Sequence, residues 1–170
     1  GIDTSETAIG QARLNAEHNG VRDRCSYEKG RAEQCFESGR TFDVIVLDPP
    51  ALAKSRGQVK KAMGLYEDIN RKALNALGPE GILITCSCSH FIKRDVFLEV
   101  LKRAARSVSR PVRVLEVRGA GPDHPVLPAM PETEYLKCVI LQAPCPVCTE
   151  AARAVCVLFT GLHPVCRRCA

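Results

Sequence analysis

Phe42 to Pro50 reads FDVIVLDPP, a run of apolar, largely β-branched residues closed by an acid and two prolines. No other stretch restricts the fold of this chain as much. Val44, Ile45, Val46 and Leu47 follow one another without polar alternation. That pattern predicts a strand covered on both faces, as in a parallel sheet held between helices. Proline has no N–H to give to a ladder, so the chain behind Asp48 is expected to leave the sheet as a constrained loop. In open parallel sheets ligands bind beyond the carboxyl ends of the strands, which makes Asp48 the first candidate functional residue.

The neighbouring segments fit the same architecture. Gly1 to Asp3 reads as the end of a strand, and Ser5 as the N-cap of a helix running to about Asn19 and stopped by Gly20. Arg24 to Lys29 is expected to be a short strand and Ala32 to Glu37 a short helix before Gly39. Gln58 to Leu77 reads as a helix with Met63, Ile69, Leu74 and Leu77 among its apolar positions and Gly78-Pro79 as its end. Gly81 to Cys88, GILITCSC, is a second buried strand. Lys93 to Ser107 is amphipathic, with Val96, Phe97, Val100, Leu101 and Ala104 facing inward. Val112 to Val117 and Tyr135 to Leu141 are further strands, separated by the glycine- and proline-rich Gly119 to Thr133. Strands alternating with helices predict an α/β fold, a doubly wound sheet that is mostly parallel with an antiparallel strand near the end.

Composition narrows the function classes. A chain of 170 residues, 45% apolar and 25% charged, can bury the core of one ordinary domain, which excludes disordered and collagen-like classes. No apolar run approaches the roughly 20 residues that cross a bilayer, and the first residues lack a signal pattern, so no membrane partner and a cytoplasmic location are expected. The net charge of +5 favours an anionic partner only weakly. Ten cysteines would suggest a disulfide framework, but they form two populations. Cys25, Cys35, Cys86, Cys88 and Cys138 lie in or beside the expected strands and helices, whereas Cys145, Cys148, Cys156, Cys166 and Cys169 crowd the last stretch.

Several residues carry candidate chemistry. Asp3, at a strand tip, can accept hydrogen bonds from both hydroxyls of a nucleoside ribose, although an acid there also serves simply to cap the next helix. Asp48 can accept from a base edge or orient an amine, or else start a turn. Thr85 to Ser89, TCSCS, ends the adjacent strand and carries thiols toward the same crevice. Strand alternation puts Cys86 and Cys88 on one face, with Cys88 nearer the tip as the better nucleophile and Cys86 as the core thiol. Two ordinary buried cysteines are the plainer reading. Near the end, Cys145-Pro-Val-Cys148 and Cys166-Arg-Arg-Cys169 have the spacing of a four-thiolate zinc site. An extension with incidental cysteines fits the same residues.

Taken together and in order, GIDTS with ETAIGQARLNAEHNG, FDVIVLDPPALAKS, LYEDINRKAL, GILITCSCS, DHPVLP and ETEYLK resemble one family. The chain resembles the bacterial large-subunit ribosomal RNA cytosine-C5 methyltransferases, class I enzymes that use S-adenosylmethionine. The resemblance covers about Gly1 to Leu141. It implies a Rossmann-like domain over residues 1–142, with residues 143–170 as a Cys-rich extension. By the same resemblance Asp3 would bind the cofactor ribose, Asp48 and Pro49 would lie at the cofactor and the target base, and Pro50 and Lys54 would contact ribosomal RNA. Cys88 would attack carbon 6 of the cytosine. The resulting enamine-like adduct would take a methyl group at carbon 5, lose the carbon 5 proton to a base and expel the cysteine. Such a base must be presented unstacked. Relatives with two cysteines carry one directly after the two prolines, where this chain has Ala51, so a single-cysteine mechanism is implied.

Two departures from the family pattern stand out. Its glycine-rich first strand and loop would precede Gly1, as would its RNA-binding N-terminal domain, so the chain is expected to be a fragment that lacks the first strand, holds cofactor weakly and exposes apolar strand edges. Arg31 also replaces an acid that approaches the adenine amino group. A second function class, a nonenzymatic zinc- and nucleic-acid-binding module, would rest on the terminal cysteines and the basic residues Lys54, Arg56, Lys60 and Lys61. A thiol redox protein is disfavoured because Cys-Ser-Cys is not the thioredoxin-like spacing.

Overall fold

The computed structural model describes residues 1–144. Its contacts divide the chain into two compact units, Gly1–Arg40 and the residues from Thr41 onward.

In the smaller unit, strand β1 (Ile2–Asp3) pairs in parallel with β2 (Glu28–Lys29). Helix α1 (Glu6–His18) begins where Ser5 Oγ accepts the Ala8 N–H at 3.2 Å, and it stops before Gly20, whose φ of +64° suits a residue without a Cβ. Ile9 and Ala16 are its buried residues. Helix α2 (Ala32–Phe36) follows. The strand expected from Arg24 is shorter than its sequence suggested. Arg22–Arg24 forms a 3-10 turn, and only Glu28 and Lys29 join a ladder, because the partner strand offers only Ile2 and Asp3.

The larger unit is built on a four-stranded sheet in the order β3 (Phe42–Leu47), β4 (Leu77–Ser87), β6 (Lys137–Gln142), β5 (Arg113–Arg118). Strands β3 and β4 are parallel, whereas β6 runs antiparallel to both of its neighbours, as the sequence led one to expect of a late strand. Helices α3 (Val59–Ala76) and α4 (Arg94–Ser107) pack on each other through Tyr66 and Phe97, whose rings meet edge to face at 5.5 Å. Beneath them lie the cross-strand rows Ile45, Leu83, Leu141 and Leu47, Thr85, Val139, all buried.

Strand β3 does not match the expectation of two covered faces. Ile45 and Leu47 are 6% and 4% exposed, but Val44 and Val46 are 55% and 68% exposed. Helix α3 packs against β3 and β4, and the side chains of Val44 and Val46 on the alternate face of β3 are left open. The unbroken apolar run therefore recorded hydrophobicity without recording which face is packed.

Helix α3 also ends differently. Its buried stripe is Ala62, Tyr66, Asn70, Ala73 and Leu74, with Met63 and Ile69 half-buried at its flank. Leu77 closes the helix and opens β4 at once, so Gly78 and Pro79 belong to the strand instead of ending the helix. Proline is tolerated because the ladder is irregular there: Phe42 pairs with Leu77 and Val44 with Ile82, leaving Gly78 to Gly81 opposite Asp43 alone. Gly81 is confined by close approach, since a Cβ would lie 2.9 Å from the Gly78 carbonyl oxygen. The Arg110 guanidinium donates to the carbonyls of Leu74, Leu77 and Gly78 at 2.7, 2.6 and 2.5 Å, tying the end of the helix to the start of β4. No helix among the described residues is long and apolar enough to cross a membrane.

Candidate active site

Parallel pairing of β3 with β4, ending at Leu47 against Thr85, brings two strand tips side by side. Asp48 is the first residue beyond β3, and Cys88 the first beyond β4. The Cys88 thiol points at the Asp48-Pro49-Pro50 loop, with Sγ 3.8 Å from the Pro49 carbonyl oxygen. Asp48 and Pro50 are exposed, and Pro49 and Cys88 half-buried. A carboxylate, a rigid turn and a thiol thus share one rim of the sheet.

Ser89 ties the two tips together from below. Fully buried, its Oγ accepts the Ala53 N–H at 3.1 Å and lies 3.0 Å from the Tyr66 hydroxyl. Its carbonyl accepts from Lys137 Nζ at 2.6 Å, and the same ammonium donates to the Tyr135 carbonyl at 2.7 Å. The loop behind Asp48, the turn behind Cys88, helix α3 and the start of β6 are therefore fastened at one point. Farther along the loop, the Lys54 N–H donates to Gln58 Oε1 at 2.8 Å and the Lys54 side chain is exposed, as are Arg56, Lys60 and Lys61.

Alternation along β4 separates two kinds of chemistry. Thr85, Ser87 and, just past the strand, Ser89 are buried on the helix side, while Cys86 and Cys88 occupy the opposite parity and are half-buried. Cys86, expected as a core thiol, stands directly across from Cys138 in the antiparallel ladder. Burial, then the hydrogen bond and charge of Cys138, then the charges of Asp48 and Cys88, push the Cys86 thiol up to about 12. It remains a thiol at neutral pH, which suits it poorly to nucleophilic attack.

Asp3 lies in the smaller unit, at the tip of β1, exposed, with Oδ1 accepting the Ser5 N–H at 2.7 Å. The helix-capping use of this acid is therefore present. Arg31 is engaged with Glu33 at 3.0 Å, and that carboxylate raises its guanidinium further above the ordinary arginine value. Cys145, Cys148, Cys166 and Cys169 lie outside the described residues, and among the described residues no group of three or more His, Cys, Asp or Glu side chains is placed to hold a metal ion.

Lys137, Ser89 and Tyr66 were not singled out from the sequence. The lysine of ETEYLK offered one signal, a charge opening an otherwise apolar strand. Ser89 and Tyr66 offered none, since they sit 23 residues apart and meet only through packing.

The profile of a family described as "Methyltransferase domain" matches residues 1–116. Among curated proteins, Ribosomal RNA large subunit methyltransferase I of Aeromonas salmonicida is 38% identical over 148 residues, covering 84% of this chain and 37% of that protein. The protein of the same name from Shewanella denitrificans is 40% identical over 141 residues, 80% of this chain and 36% of its own length. The chain thus spans little more than a third of these relatives. Among solved structures, a methyltransferase homolog protein from Pyrococcus horikoshii aligns with a TM-score of 0.61 at 20% identity, covering 84% of this chain and 52% of that one. NSun6 from Pyrococcus horikoshii, solved with SFG, aligns with a TM-score of 0.61 at 16% identity, covering 84% and 40%. At these identities the likeness shows the fold, a Rossmann-like α/β sheet.

Proposed function

Since the chain belongs to the methyltransferase domain family, we propose that its site serves methyl transfer from S-adenosylmethionine to carbon 5 of a cytosine in large-subunit ribosomal RNA, with Cys88 as the covalent nucleophile. The observation that carries this reading is the 3.8 Å approach of Cys88 Sγ to the Pro49 carbonyl. It puts a thiol beside an acid-proline-proline turn, where a flat base edge can meet both. The names of the relatives supply the substrate class.

Carbon 5 of cytosine is too electron-poor to attack an electrophilic methyl group unaided. The Cys88 thiolate adds to carbon 6, forming a C–S bond and pushing electron density onto carbon 5. Asp48 accepts hydrogen bonds from the pyrimidine edge and steadies the adduct. After carbon 5 is methylated its proton leaves to a base, the electron pair re-forms the ring double bond, and Cys88 departs as thiolate. Cys86, held as a thiol, takes no part. S-adenosylmethionine, when bound, supplies a methyl group on a sulfonium. The exposed Asp3 carboxylate at the tip of β1 suits a ribose diol, which offers two hydroxyl donors, and Oδ2 is the oxygen not engaged by Ser5. Asp48 and Pro49 border the cofactor side of the rim, and Pro50 and Lys54 the RNA side. Residues 1–142 form the methyltransferase part and 143–170 an extension, in an enzyme that works where ribosomal RNA is made, the cytoplasm of a bacterium.

The test uses the full-length protein with Cys88→Ala beside the parent, assayed for 5-methylcytosine in large-subunit ribosomal RNA by nucleoside mass spectrometry. The expected loss is about a thousandfold or more, the scale on which removal of a covalent nucleophile acts. RNA carrying 5-fluorocytosine should trap the parent as a covalent complex, because the fluorine cannot leave as a proton does. Unimpaired 5-methylcytosine formation by the variant would overturn the mechanism.

A further inference from the structure

A lysine that opens an apolar strand normally turns its ammonium to water, but Lys137 is only 5% exposed. Its ammonium makes short bonds to two backbone carbonyls, 2.6 Å to Ser89 and 2.7 Å to Tyr135. Burying a charge is costly unless specific groups compensate it. Two neutral carbonyls compensate only in part, and burial pushes the Lys137 ammonium down to about 8; Cys88 acts against that fall, Lys93 with it, and Glu134 against it. The sulfur of Cys88 therefore lies within electrostatic reach of the cation, one residue from the carbonyl the cation holds.

We infer that Lys137 is a positioning residue for Cys88: its ammonium fixes the turn behind the sulfur through the Ser89 carbonyl and sets a buried positive charge beside the place where the sulfur becomes anionic. The inference rests on Cys88 as nucleophile and extends that reading to a second residue. Negative sulfur occurs twice in the proposed cycle, before attack on carbon 6 and after expulsion from it. A fixed cation favours both states without itself gaining or losing a proton. The geometry also explains why the cation is not left to solvent. In water the same charge would be worth several-fold less at the same distance.

Alkylation of Cys88 separates this role from a merely structural one. The chain is treated with iodoacetate, an anion, and with iodoacetamide, which is neutral, and the rates at Cys88 are read by mass spectrometry using fragment ions that distinguish it from Cys86. A local positive charge speeds the anionic reagent relative to the neutral one, whereas loosening of the turn changes both together. The iodoacetate to iodoacetamide ratio should fall about threefold or more in Lys137→Met and be kept in Lys137→Arg. The unsubstituted chain gives a second readout that needs no variant to fold. Its ratio should decline as pH rises through about 8, where Lys137 loses its charge. The other charged groups around the pair are Cys86, on which both Asp48 and Cys88 act, and Lys93 and Glu134, which act on Lys137, with Arg94 paired to Glu134 at 3.3 Å. Lys93→Met should move the midpoint of that decline up and Glu134→Gln should move it down, because the first charge lowers the ammonium and the second raises it, whereas Asp48→Asn should leave the midpoint in place. A ratio unchanged both in Lys137→Met and across this pH range would overturn the inference. Failure of Cys88→Ala to impair methylation would instead remove the nucleophile and leave the charge measurement standing.

Discussion

The Tyr66 hydroxyl and Ser89 Oγ lie 3.0 Å apart, both side chains fully buried, and this contact joins helix α3 to the turn that carries Cys88. Ser89 Oγ also accepts the Ala53 N–H. Ser89→Ala would leave a backbone donor and a phenol without their shared partner, for an expected loss of about 2–4 kcal/mol, whereas Tyr66→Phe removes one bond and should cost about 1 kcal/mol. Urea unfolding of the two variants checks the order, and equal losses would mean that the Ala53 bond contributes nothing.

Arg110 makes a similar argument at the far end of α3. Three carbonyls converge on one guanidinium, whose charge is disfavoured by its own partial burial. Arg110→Met keeps much of the apolar stem and removes all three donors. A loss of about 2–3 kcal/mol is expected, the scale of leaving partly buried acceptors unmet. Arg110→Lys, a point charge without the planar fork, should recover less than half of that in the same unfolding assay.

Alkaline pH should expose the Cys86 thiol. Its ordinary value is 9.0 and the fold pushes it up to about 12. Between those values the unfolded chain releases a proton that the native chain retains. Stability from this group is therefore level below pH 9 and falls as pH rises toward 12. Lys137, pushed down from 10.5 to about 8, works in the opposite sense between 8 and 10.5, because there the unfolded chain holds the extra proton. The difference between parent and Cys86→Ala isolates the thiol. The urea midpoint of the parent should drop more steeply than that of the variant between pH 9 and 11, and parallel curves would refute the assignment.

Much of this architecture was legible in the chain. FDVIVL and GILITCS announced adjacent strands, and the Ser5 cap and Gly20 bounded α1 closely, because caps and left-handed residues act locally. What escaped depended on partners distant in sequence. Whether Val44 is covered depends on which side the helices pack, and a continuous apolar run does not encode a side. Gly78-Pro79 is a credible helix stop in isolation, yet here the helix ends at Ala76, where Leu77 turns to extended backbone and opens β4. In the candidate site, Asp48 and Cys88 could be named from strand tips alone. Ser89 and Lys137 could not, since a buried serine and a buried lysine acquire meaning only from the carbonyl and hydroxyl they meet.

The alternation at the end of β4 limits how this segment can change over evolutionary time. Hydroxyls at 85, 87 and 89 serve the packed side, and sulfurs at 86 and 88 the open one. Because the period is two, inserting or deleting one residue between Leu83 and Cys88 would exchange the two sets, turning the proposed nucleophile into the core and the anchor serine outward. A change of two residues would preserve the sides and shift only the height of the rim. Length in this strand can therefore change only in even steps if the thiol at 88 is to stay on the open side.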